Sequence, residues 1–142
     1  MTFYKSADQL PPFTDYAMKG RTYRYFDGTP LYSFGFGLSY SSFVYSDLTS
    51  KRTAAGAEIR ATVRNTSARE GDEVAQLYVA GESGEGAPVR SLRGFQRIHL
   101  KAGEGRQVTF TVATEDLPKA PVEVSVGGGQ PLPGIPHVKG TL

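Results

Sequence analysis

Cysteine is absent from the 142 residues, which excludes disulfides and cysteine-based zinc sites but leaves the compartment open. No stretch reaches the roughly 18 apolar residues of a membrane span, so no membrane contact is expected. Charge of one sign is scarce as well. The formal net charge is +2, and the lysines and arginines lie among acids rather than in runs. No nucleic-acid groove is expected from that pattern. The opening MTFYKSADQL lacks a basic region followed by an apolar core, so it does not read as a secretory signal; the signal of an exported parent would lie upstream. Helical periodicity is missing throughout.

What the chain does hold is glycine (17), proline (9) and 11% aromatics, a composition that suits short strands joined by turns. Its length is that of one domain with a tail. The densest passage is Gly20 to Tyr40, GRTYRYFDGTPLYSFGFGLSY, which sets Tyr23, Tyr25, Phe26, Tyr32, Phe34, Phe36 and Tyr40 among glycines. Such a segment does not fold alone. Met1–Tyr4 reads as a short strand that needs a sheet from elsewhere. Leu10-Pro11-Pro12-Phe13 interrupts any regular element, and turns are expected at Asp27-Gly28 and Gly35-Phe36-Gly37. Residues 1–40 are therefore expected to form an extended, irregular tether, and residues 41–142 a separate folded unit.

Beyond Ser41 the text alternates. Phe43-Val44-Tyr45 reads as a first strand, and Ala57, Ile59, Ala61 and Val63 as the inward face of a second. Glu73–Val79 follows with apolar groups on both faces, which marks a central strand or one covered by the tether. Leu92–Leu100 slips in its alternation around Gly94-Phe95, where a bulge is expected. Val108, Phe110 and Val112, then Val122, Val124 and Val126, mark two more inward faces. A last strand is expected near His137–Thr141. Six or seven short strands with turn signals between them predict an all-β, immunoglobulin-like sandwich.

The strings Lys19–Phe26 and Pro30–Tyr40 resemble the segment that leads into the C-terminal fibronectin type III-like domain of family 3 glycoside hydrolases, the β-glucosidases and β-xylosidases. Val63-Arg64-Asn65-Thr66, Gly71–Val79 and Leu92–Leu100 are similar to strands of that domain, and Met1–Ser6 to the end of a strand from the preceding α/β domain. This resemblance implies a fibronectin type III-like fold and a partner in the parent's catalytic domains. It also implies a periplasmic or secreted location. One departure is the short Leu117-Pro118-Lys119-Ala120-Pro121, which predicts a shortened sandwich edge. The family's nucleophile aspartate and its acid/base carboxylate belong to domains for which 142 residues leave no room, so neither transfers.

The residues themselves offer little chemistry. Retaining glycoside hydrolysis needs two carboxylates about 5–5.5 Å apart. Asp72-Glu73 and Glu115-Asp116 are adjacent in sequence, and neighbours on a strand point to opposite faces. His99 and His137 stand alone, so they read as surface or loop residues. Asn65-Thr66-Ser67 satisfies the glycosylation pattern within an expected turn. Gly127-Gly128-Gly129 is followed by no helix start, so it reads as a loop and not as a phosphate cradle. No catalytic residue, cofactor or metal is expected.

Three readings stand side by side at this point. The chain is a non-catalytic structural module that buttresses catalytic domains, or a carbohydrate- or surface-binding module, or a small stand-alone glycoside hydrolase. The binding reading rests on Tyr23, Tyr25 and Phe26, whose rings stack on sugars, with Arg21 and Arg24 interleaved. Residues 1–40 also expose enough apolar surface to predict that they fold back over the sandwich or pair two chains in a homodimer.

Overall fold

The computed structural model describes residues 2–81, 84–119 and 121–142. Two antiparallel sheets pack face to face. The first holds β1 (Phe43–Thr53), β2 (Gly56–Asn65) and β5 (Gly105–Ala113) in the order β1-β2-β5. In the second, β3 (Gly71–Ala80), β4 (Ser91–Leu100), β6 (Glu123–Gly127) and β7 (His137–Thr141) run in the order β4-β3-β6-β7.

Alternation dictates the core. On β2 Ala57, Ile59, Ala61 and Val63 are fully buried, and across from them lie Ala75, Leu77 and Val79 of β3 with Val124 and Val126 of β6. Phe110 of β5 fills the space beside Gly94 of β4, where a Cβ would come within 2.9 Å of the ring. Burial of these branched side chains, each worth about 1.5–3 kcal/mol, holds the two layers together.

Two bulges re-aim the strands. Leu77 pairs with Gly94 and Tyr78 with Leu92, so Arg93 is the extra residue, one position before the Gly94-Phe95 pair that the broken alternation singled out. The other lies in β1 between Ser46 and Thr49. It contains Asp47 at φ 52, and the sequence carried no sign of it.

Asn65 ends β2 as a plug. It is fully buried; its Nδ2 donates to the Arg69 and Leu100 carbonyls at 2.7 and 3.2 Å, and its Oδ1 accepts from the Ser67 N–H and hydroxyl. The amide of the glycosylation pattern is spent on closing the turn.

The stretch after β5 forms a single 3-10 turn, Thr114–Asp116, and then carries the chain across to β6 in the other sheet. Ala120, part of the shortened edge expected there, lies outside the described residues, as do Glu82 and Ser83 of the acidic glycine-rich loop.

The tether departs from an extended coil in three places, the first a single 3-10 turn at Ala7–Gln9. Thr22–Tyr25 winds one helical turn, α1, closed by the Phe26 N–H on the Thr22 carbonyl at 3.0 Å. Near the N-terminus, Phe3 forms an isolated bridge with Tyr32, and the Leu31 N–H reaches the Phe3 carbonyl at 2.7 Å. The strand expected at 1–4 thus finds its partner within the tether itself; Met1 lies outside the described residues.

Candidate functional site

The outer face of the four-stranded sheet is where the tether lands. Tyr78 points outward from β3 yet is buried to 1% exposure, because Tyr23 from α1 meets its ring edge-on at 6.1 Å. Phe34 then stacks on Tyr23 at 4.2 Å with the planes 18° apart. Burial pushes the Tyr78 hydroxyl above the usual phenol range, with the nearby Tyr23 adding to the rise. The Tyr78 hydroxyl donates to Gln76 Oε1 at 2.7 Å.

Polar contacts fix this aromatic stack in register. The Leu92 N–H donates to the Tyr23 hydroxyl at 3.2 Å, and the Val89 N–H to the Arg24 carbonyl at 2.6 Å. Gln130, almost fully buried, works in both directions on Phe34. Its Oε1 accepts the Phe34 N–H at 3.2 Å, and its own N–H donates to the Phe34 carbonyl at 2.9 Å. The chain turns at Ser33–Phe36 through the Phe36 N–H on the Ser33 carbonyl. Gly35 takes φ 81 there, and a Cβ would lie 2.5 Å from the Gln76 amide. Only glycine satisfies both demands.

The five residues assigned to the sugar-stacking reading sit in this frame as follows. Tyr23 is the half-buried wedge just described. Phe26 is buried against Tyr4, ring to ring at 5.1 Å and 80°. Tyr25 is half-buried, with the Arg24 guanidinium 5.5 Å from its ring centre. Arg21 is turned back onto its own loop, donating to the carbonyls of Ala17, Pro12 and Asp15. The five lie on one segment, and none is among the exposed large side chains.

The exposed rings are others. Phe3, Tyr32, Phe34, Phe36 and Leu38 line an apolar groove of about 700 Å³. Tyr32 meets Phe3 edge-on at 5.8 Å and Phe36 at 5.0 Å. Phe36 is 48% exposed, and Leu38 and Tyr40 are more than nine-tenths exposed. Aromatic surface on this scale is what a soluble domain leaves open where another surface lies against it.

The carboxylates do not assemble as a catalytic pair. Asp72 faces outward from β3 and accepts from the Arg97 guanidinium and from His99 Nδ1 at 2.9 Å. These bonds hold its carboxyl below the ordinary range, and the same Asp72 bond, with Glu70 adding to it, raises the His99 imidazole. Glu73 faces the other way, half-buried, and Tyr45 donates to its Oε1 at 2.6 Å. Burial raises the Glu73 carboxyl, with the Tyr45 hydrogen bond opposing. Asp116 is taken by Arg93 at 2.7 Å. His137 lies in β7, its Nδ1 donating to the Ile135 carbonyl. Among the described residues no cluster of three histidine, aspartate or glutamate side chains could hold a metal.

A family model for the fibronectin type III-like domain matches residues 73–125. The chain is 41% identical over 119 residues to a xylan 1,4-β-xylosidase of Xylanibacter ruminicola, covering 82% of this chain and 14% of that one. A periplasmic β-glucosidase of Salmonella typhimurium is 36% identical over 134 residues, covering 82% of this chain and 18% of its own. Among solved structures, the β-D-glucoside glucohydrolase of Trichoderma reesei superposes with a TM-score of 0.80 at 27% identity over 99% of this chain and 25% of that one. A family 3 β-glucosidase of Bifidobacterium adolescentis gives 0.72 at 32% identity, over 84% and 20%.

Two antiparallel sheets and the matched model make this a fibronectin type III-like domain. The chain is of the kind carried, with the preceding linker, within family 3 glycoside hydrolases. It spans less than a fifth of the curated relatives named here, in which the matching region is one part of a much longer polypeptide. No helix among the described residues is long and apolar enough to cross a membrane.

Proposed function

We propose that the chain is a non-catalytic docking module of a β-glucosidase or β-xylosidase. Residues 1–40 form the tether from an α/β domain and residues 41–142 the sandwich that buttresses it. One observation carries this reading. The tether is locked to the sandwich on one side by Tyr23, Phe34 and Gln130, while on the other it presents the open groove of Phe3, Tyr32, Phe36 and Leu38. Covering three or four such side chains at about 1.5–3 kcal/mol each would contribute a sizeable share of a domain's stability. The location follows that of the parent enzyme, in the periplasm or outside the cell.

Turnover of aryl β-glucosides and β-xylosides by the purified 142-residue chain tests the non-catalytic part. None is expected, since the Asp72 and Glu73 carboxylates face opposite sides and Asp116 is held by Arg93. Turnover abolished by a substitution at Asp72, Glu73, Glu115 or Asp116 would overturn it.

A carbohydrate-binding role is the second reading, favoured by the exposed faces of Tyr32 and Phe36 beside the Tyr23–Phe26 segment. Retention on insoluble cellulose or xylan, lost in Tyr25→Ala or in Tyr32→Ala at an exposed ring, supports it. No retention on either removes it.

A further inference from the structure

Next to the aromatic groove lies a cavity of about 300 Å³ whose walls include Phe36, Ser41, Phe43, Glu73, Gly128 and Ile135. Glu73 enters it from the inner side of β3. Its Oε1 is fixed by the Tyr45 hydroxyl at 2.6 Å, and the backbone of Gly128 lies against the same oxygen, so close that a Cβ there would stand 2.5 Å away. Nothing among the described residues bonds the second carboxylate oxygen. The ion pairs of the described residues engage Glu58, Glu70, Asp72, Glu104, Asp116 and Glu123, and none reaches Glu73.

A half-buried carboxylate without a cation is costly, and the cost is relieved when a positive group meets it. The polar groups that share the wall are short serines, and two of them are engaged: the Ser41 hydroxyl shares its one proton between the Arg69 and Glu70 carbonyls, and Ser39 Oγ accepts the Ser41 N–H. A polyol needs several free partners on one wall; a cation needs one carboxylate and an aromatic face. Phe36 supplies that face, since its ring is half exposed and lines both the cavity and the groove. A cation over such a ring is attracted by the negative face of its π system.

We propose that this cavity receives a guanidinium side chain from the protein segment that covers the aromatic groove, with Glu73 accepting its N–H groups and Phe36 covering its face. That the segment belongs to the catalytic domains rests on the function proposed above. The site itself does not.

The test is an amide-resolved NMR titration of the 142-residue chain at neutral pH with ethylguanidinium, ethylammonium and methyl β-D-glucoside in parallel. Ethylguanidinium is expected to give saturable shifts at Phe36, Glu73 and Gly128, and ethylammonium weaker ones. Glu73→Gln, which retains an acceptor for Tyr45, is expected to weaken binding by about tenfold or more. Tyr45→Phe, which returns the first carboxylate oxygen to the cavity, keeps or tightens it. Three outcomes overturn the site: no saturable shift at these amides, the same affinity in Glu73→Gln, or shifts produced by the glucoside and not by ethylguanidinium. Binding of ethylguanidinium at Glu73 without any docking of catalytic domains would leave the site standing and remove the docking reading. Docking that is indifferent to Glu73→Gln, with no response to ethylguanidinium, would do the reverse.

Discussion

The sandwich and the tether treat their apolar side chains in opposite ways. From β1 to β7 the inward valines, leucines and alanines are buried nearly without remainder. From residue 2 to residue 40 only Phe26 and Pro30 reach that state, while Phe13, Tyr16, Leu38 and Tyr40 are almost bare. The sandwich satisfies itself through regular ladders. The tether borrows its order from the sandwich at Tyr23, Phe34 and Gly35 and leaves the rest of its aromatic surface open. A segment that is half fastened and half open is suited to joining two bodies, and the difference between the regions can be put to measurement.

The largest effect is expected inside the sandwich. Leu77→Ala, at a fully buried position beside Val126 of β6 and facing the other sheet, is expected to lower stability by about 2–5 kcal/mol, read as the midpoint of denaturant unfolding. A loss under 1 kcal/mol would mean that the core collapses around the gap, and the contrast between the regions would shrink.

Tyr23→Ala comes next. It removes the wedge between Tyr78 and Phe34 and is expected to cost about 1–2 kcal/mol. Fast hydrogen exchange should spread through residues 22–36 while the β2 and β3 amides stay protected. Loss of protection in β3 as well would show one cooperative unit and erase the comparison.

Gln130→Ala sharpens the same boundary with a smaller loss, about 1 kcal/mol, because the side-chain acceptor of the Phe34 N–H disappears while the backbone N–H of residue 130 still reaches the Phe34 carbonyl and the ring stack remains. Its effect on exchange is expected to centre on Phe34 and Phe36.

The smallest effect is the pH response of the strand surface, where Asp72 and His99 meet in the open. The folded His99 pKa is raised, so its contribution is full below the unfolded value of about 6.5 and is lost as pH rises through the folded value. The folded Asp72 pKa is lowered, so its contribution is present above about 3.9 and is lost as pH falls through the folded value. The pair therefore stabilises most between those two limits, and His99→Gln is expected to flatten the alkaline limb. Glu73 has the opposite sign. Its folded pKa is raised, so its ionisation opposes folding, and that opposition is relieved as pH falls through the folded value. NMR titration of the His99 ring and the Glu73 carboxyl checks both directions.

Much of the sandwich was legible because alternation is a local signal. Ala57 to Val63, Val124 and Val126 of β6 with Val122 just before it, and the slip beside Gly94 each announce themselves within a few residues. The one-turn helix at Thr22–Tyr25 was not legible, since four residues carry no period and its order comes from Tyr23 seating on Tyr78. The β1 bulge at Asp47 was equally silent. Of the aromatic cluster, sequence located the segment but could not say which ring faces out. Tyr23 and Phe26 turn toward the chain's own rings, whereas Tyr32 and Phe36 face the groove, and that division is set by contacts 69 and 96 residues away in sequence, through Leu92 and Gln130. The roles of Asn65, Gln76 and Gln130 were hidden for the same reason: a buried amide is recognised by its partners, not by its neighbours in sequence.

The central claim is that the open aromatic groove is a surface onto which the catalytic part of the parent enzyme closes. The most direct measurement is calorimetric binding of the 142-residue chain to that part, produced separately, for the native sequence and for Phe36→Ser. Saturable one-to-one binding, with Phe36→Ser weakening it at least about tenfold while the β-strand amides keep their native shifts, is the predicted result. Absence of binding, or binding untouched by Phe36→Ser, would contradict it.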